Sequence, residues 1–189
     1  EAARSGGLVV VGPPGRSAVS RRETVHRVVA QATVPVVVAR PYGGTAAGPF
    51  AGHVVVGVDG SAPSRAALTF GFEEAALHHR PLAAVHVTAD RQSDFWFDDV
   101  VLSTHFAAEP AGLDLLAEET EKPHLDRSEV PVKRAVFAGA PADGLLRAAA
   151  GAALLCVGDR GRSWPARALL GGVSDRAVDD ADAPVAVVR

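Results

Sequence analysis

The chain has 189 residues, enough for one domain with a sizeable core, or one domain and part of another, but not for two complete doubly wound domains. Apolar residues make up 48% of it and aromatic ones 5%, which excludes a mainly disordered chain and fits a helix-and-sheet protein with a core of small side chains. A formal net charge of −3 gives no basic footprint for nucleic acid or an anionic membrane. The apolar runs are too short to span a bilayer and no signal-peptide pattern precedes the first of them, so a cytoplasmic protein is expected.

In chain order, the first apolar run is "LVVVGPPGR" over residues 8–16, followed by a helical segment and by "VPVVVAR" over 34–40. Residues 41–52, rich in Gly, Pro and Ala and without periodicity, read as a linker. A new domain is expected from residue 53. It begins with a strand over 53–58 ("HVVVGV") and a helix from Pro63 to about His78, with Ser61 or Ala62 at the cap. A strand over 82–87 ("LAAVHV") and a variable stretch over 88–109 follow. Next come a helix over 111–125, a strand over 130–137, a helix over 142–150, a strand over 153–157, a helix opening near Gly171 and a last strand over 185–188.

Two of these strands occur twice. "LVVVGPPGR" is echoed by "LLCVGDRGR" at 154–162, and "VPVVVAR" by "APVAVVR" at 183–189. Residues 53–189 therefore predict a doubly wound α/β domain with a five-stranded parallel sheet. Residues 1–40 predict only the closing strand-helix-strand unit of a second copy, with an apolar strand edge left open.

In a doubly wound sheet, ligands bind outside the carboxyl ends of the strands, so the loops after Val58, Val87 and Val157 hold the candidates. The first offers Asp59. The last carries Gly158 and Gly161, then nine residues, then Gly171, Gly172, Val173 and Ser174 at a helix start. Glycines admit a phosphate to the exposed N–H groups of a helix N-terminus. Neither G-x-x-x-x-G-K-[ST] nor G-x-G-x-x-G occurs, which removes the Walker and dinucleotide fingerprints. The same turn could instead need its glycines for backbone geometry alone, and Asp59 could be a cap or turn former. Cys156 reads as a core residue, His86 as a structural histidine and His78-His79 as an exposed helix end. The segment over 93–99, "SDFWFDD", is either a loop folded over the core or a lid or partner patch.

With these motifs in view, residues 53–189 resemble the universal stress protein family from end to end. The resemblance rests on "VVVGVDGS", "AAVHV" and the spacing Gly158, two residues, Gly161, nine residues, Gly171. In the ATP-binding branch of that family, it implies Asp59 and Val87 beside the adenine. It implies Gly158, Arg160 and Gly161 at the ribose and phosphates, and Gly171, Gly172, Val173 and Ser174 at the phosphate end. ATP is the implied ligand, magnesium is left open, and no catalytic set is apparent; an intrachain pseudo-dimer or a homodimer through the final strands is the implied assembly. Two departures weaken the site. Gly172 stands where that branch usually has Ser or Thr, a loss of about 1.5–3 kcal/mol for one hydrogen bond to a charged group. Asp159 also puts a carboxylate into the loop, offset by Arg160, Arg162 and Arg167. In the first copy, two prolines lie between Gly12 and Gly15 and no glycine pair opens the helix, so no site is expected there. The functional expectation is an adenine-nucleotide-binding stress regulator of tandem type. The alternatives are a nucleotide-free dimerisation or partner scaffold of the same fold, and a small-molecule enzyme for which the sequence shows no catalytic constellation.

Overall fold

Apolar runs become strands, and the segments between them become helices. The order is β1 (Val9–Val11), α1 (Val19–Gln31), β2 (Val36–Val38), β3 (Val54–Gly57), α2 (Ala62–Leu77), β4 (Leu82–Thr88), β5 (Phe95–Phe97), α3 (Pro110–Asp126), β6 (Val132–Ala138), α4 (Pro141–Ala148), β7 (Leu154–Gly158), α5 (Gly172–Asp180) and β8 (Val185–Val188). The computed structural model describes residues 7–13, 19–41, 48–88, 95–97, 110–160 and 172–189.

One sheet holds the described strands, in the order β1-β2-β8-β7-β3-β4-β6-β5. Strands β8, β7, β3, β4 and β6 run parallel, which is the five-stranded doubly wound sheet expected from the continuous apolar runs. Successive side chains of a strand point to opposite faces, and the core divides accordingly. Val55, Val85, Phe137, Leu145 and Val178 form one cluster; Val54, Val56, Leu68, Phe72 and Leu116 form the other. Helices α4 and α5 therefore cover one face, and α2 and α3 the other. Cys156 is fully buried in the second cluster, and its burial pushes the thiol pKa upward, as suits a core residue.

Helix α2 shows how local chemistry fixes an element. The Ser61 side chain accepts the Ser64 N–H at 3.3 Å and caps the helix, and Pro63 sits in the first turn, where a missing N–H costs nothing. At the other end His79 takes a left-handed φ of 50° and Arg80 N–H returns to Ala75 O at 2.9 Å, closing the last turn.

Two features lie beyond the five-stranded core. The first is the repeat unit: β1 pairs parallel with β2, and β2 pairs antiparallel with β8, with Val36 opposite Val187, Val37 opposite Ala186 and Val38 opposite Val185. The pairing of the Pro-Val strands thus forms within the chain, and it occupies the edge of β8 that β7 leaves open. Above this seam α1 is tied to α5. His26 Nδ1 lies 2.9 Å from Asp175 Oδ1 and Nε2 lies 2.9 Å from Asp179 Oδ1, while Arg22 bonds Asp179. Among the described residues β1 is the last strand on that side of the sheet, and Val10 within it and Leu8 before it are exposed.

The second feature corrects an expectation. Within the variable stretch over 88–109, the segment 93–99, read as a loop over the core or as a lid or partner patch, contains β5, which pairs antiparallel with β6, Phe95 opposite Val136 and Phe97 opposite Arg134. Ser93, Asp94, Asp98 and Asp99 lie outside the described residues.

Candidate functional site

The strand order turns at β3. Its chain leaves to α2 on one face and continues to β4, whereas β7 leaves toward α5 on the other face and continues to β8. Connections departing in opposite directions open a crevice at the carboxyl ends of these two strands. A cavity of about 470 Å³ occupies it, within the range of small-ligand sites.

Seven of the nine candidate residues line this cavity: Asp59, Val87, Gly158, Arg160, Gly172, Val173 and Ser174. Gly161 and Gly171 lie outside the described residues. The walls beside β4 and β7 are apolar, built from Val85, Val87, Val157 and Leu145, a surface suited to the face of a flat ring. The first turns of α2, α4 and α5 all border it, through Ser64, through Pro141 and Ala142, and through Gly172 to Ser174. Three helix N-termini turned to one space favour negative charge there.

Each candidate also has a local structural role. Asp59 Oδ1 accepts the Ser61 N–H at 2.9 Å, so this residue forms the turn and Ser61 supplies the cap. A Cβ on Gly158 would lie 2.8 Å from the Pro63 backbone, so glycine is required where β7 meets α2. Ser174 is 1% exposed and its hydroxyl donates to the Asp159 carbonyl at 3.0 Å, fastening α5 to the end of β7. Asp159, also 1% exposed, does not point freely into the loop: its Oδ2 meets Arg160 Nε at 3.1 Å and Arg189 Nε at 3.3 Å. His86 Nδ1–H donates to Val58 O at 2.8 Å, holding the end of β3 in a structural role.

The α4 wall was not among the candidates. Ala140, Pro141, Ala142 and Leu145 contribute it, and Ala140 offers no side-chain acceptor to the first turn of α4. The signal in the sequence was the run Gly139-Ala140-Pro141, a turn leading into a proline-started helix. A larger cavity, about 660 Å³, is a groove along the flanks of α2 and α3 lined by charged residues such as Arg65, Glu73 and Lys122, away from the strand ends. Among the described residues no group of three His, Cys, Asp or Glu is arranged to hold a metal ion, and no helix is long and apolar enough to cross a membrane.

A sequence profile described as "Universal stress protein family" matches residues 51–189. The chain is 33% identical over 195 residues to universal stress protein Rv2005c of Mycobacterium tuberculosis, an alignment covering 96% of this chain and 61% of that protein. It is 35% identical over 196 residues to a universal stress protein of Mycolicibacterium smegmatis, covering 100% of this chain and 64% of the relative. The chain thus spans less than two thirds of the length of these relatives. Among solved structures, a universal stress protein from Archaeoglobus fulgidus has a TM-score of 0.62 at 18% identity, covering 96% of this chain and 60% of that one. A universal stress protein solved in complex with cAMP has a TM-score of 0.53 at 24% identity, covering 74% and 98%. At such identities these two structures speak to the fold.

Proposed function

The chain belongs to the universal stress protein family, and from that membership we propose that it binds ATP or a related adenine nucleotide in the cavity between β3 and β7 and acts as a cytoplasmic stress-response regulator. The observation that carries this reading is the meeting of Asp59, Val87, Gly158, Arg160 and the first turn of α5 around one space. The adenine would lie against Val87 with Asp59 at its edge. Ribose and phosphates would run past Gly158 and Arg160 toward the N–H groups opening α5, with Gly161 and Gly171 completing the loop. The cAMP complex of a relative supports an adenine ligand for this fold. The protein works on this reading as a sensor of nucleotide, not an efficient enzyme, and residues 1–40 are the closing part of a first domain in a tandem pair.

The fit is good for base and ribose and weaker for phosphate. Apolar walls and a volume of about 470 Å³ suit the former. At the phosphate end Gly172 brings no hydroxyl, and the hydroxyl hydrogen of Ser174 is turned to Asp159. That observation favours a second reading, a nucleotide-free scaffold. Thermal melting separates the two. ATP at 100 times its dissociation constant stabilises the folded state by about 2.7 kcal/mol, a rise of roughly 5–11 °C for a chain of this size. Asp59→Ala should raise the dissociation constant about tenfold or more. An unchanged melting temperature at millimolar ATP sinks the nucleotide reading and leaves the scaffold.

A further inference from the structure

The end of β7 carries a charge cluster that the cavity shares with the repeat unit. Asp159 N–H donates to Val188 O at 2.8 Å, one bond beyond the β7–β8 pairing, so Asp159 and Arg189 leave the sheet side by side. The Asp159 carboxylate is 1% exposed; its Oδ2 takes both Arg160 and Arg189, and its Oδ1 is buried with no hydrogen-bond partner among the described residues. Arg160 lines the cavity. Arg189 instead reaches the other way. Its Nη2 donates to Val29 O at 3.2 Å and to Ala30 O, carbonyls in the last turn of α1 that have no partner inside that helix.

A carboxylate this deeply buried must keep a cation. With Arg189 in place, Asp159 keeps one when Arg160 turns to a phosphate. Without it, Arg160 is the one cation left on Asp159 among the described residues, and neutralising Asp159 competes with binding the ligand. We propose that Arg189 is a positioning residue for anionic ligands: by holding Asp159 it releases Arg160 to the phosphate, and through α1 it makes the grip on phosphate depend on the β1-α1-β2 unit. The proposal rests on the adenine-nucleotide reading of the cavity. It predicts a selective effect, because adenosine lacks the phosphates that Arg160 would meet.

Calorimetric titration of ATP and of adenosine, on variants whose melting curves show them folded at the working temperature, tests it. Arg189→Gln should lower the ATP-to-adenosine affinity ratio about tenfold, the scale of one charge-assisted hydrogen bond, with adenosine affinity unchanged. Arg189→Lys, which keeps the charge, should retain most of the ratio. In an Arg160→Gln background, the further change Arg189→Gln should leave the ratio where Arg160→Gln put it. The double variant Asp159→Asn with Arg189→Gln, which strands no buried carboxylate, should keep the wild-type ratio even where Arg189→Gln alone does not fold. Equal losses for ATP and adenosine would mean a merely structural role and overturn the proposal. So would a loss of the same size with and without Arg160, which would mark simple long-range attraction. A wild-type protein that binds neither ligand overturns the nucleotide reading and the proposal with it, whereas binding of both with an unchanged ratio in Arg189→Gln overturns the proposal alone.

Discussion

Gly158 ends β7 at a point where two demands coincide. A Cβ there would meet the Pro63 carbonyl carbon and Cβ, both at 2.8 Å, and the neighbour is backbone that cannot swing aside. The packing of β7 on α2 therefore requires glycine whether or not a ligand is present, and the same lack of a side chain leaves the crevice floor open. Gly158→Ala is expected to lower stability by about 1–3 kcal/mol, the usual cost of overpacking, read as a shift of the urea midpoint. It should also weaken ATP binding beyond what that loss of stability explains. Spacing alone made this glycine legible in the sequence, but not which demand it serves. That answer depends on Pro63, some ninety-five positions earlier in the chain, coming to lie against it. Asp159 is the converse. As a bare sequence it reads as a carboxylate in a phosphate loop, and only the nearness of β8 reveals Arg189 as its second counter-ion.

Helices and strands were legible where one local cause was enough. The runs that became β3, β4, β7 and β8 are apolar on both faces because helices cover both, and α2 announced itself through Ser61 and Pro63. Strand β5 was not legible, since three residues carry no periodicity and its pairing comes from β6. The α4 wall was missed for another reason: a first turn bordering a cavity with backbone and small side chains has no distinctive residue type. Between elements, the tie of α1 to α5 makes a pH prediction. Burial pushes the Asp179 pKa up, but hydrogen bonds and charge from His26 and Arg22 outweigh it and hold the carboxyl below its ordinary 3.8. The unfolded chain thus binds the proton first as pH falls. The stability from this group is complete above about pH 5 and drains away as pH drops through the folded value. Urea midpoints measured from about pH 5 down to about pH 3 should fall, and Asp179→Asn should flatten that fall; an equal slope in the variant would show that Asp179 contributes nothing.

Across the whole molecule, the internal repeat makes two units share one sheet. Bonds from Val9 N–H to Pro35 O and from Ala39 N–H to Val11 O turn the odd residues of β2 toward β1, so Val36 and Val38 face β8 with their backbone groups. Val38→Pro removes one of those donors. Amide exchange of Val185–Val188 should then speed up by much more than exchange of Val54–Gly57, and uniform acceleration would mean the seam does not stabilise β8 locally. The seam also has a mechanical consequence. A pull applied at Arg189 does not peel an edge strand one bond at a time, because β8 lies between β2 and β7 and the load falls on two ladders in shear. Force carried through Arg189 would then be resisted in part by how firmly β1-α1-β2 grips β8.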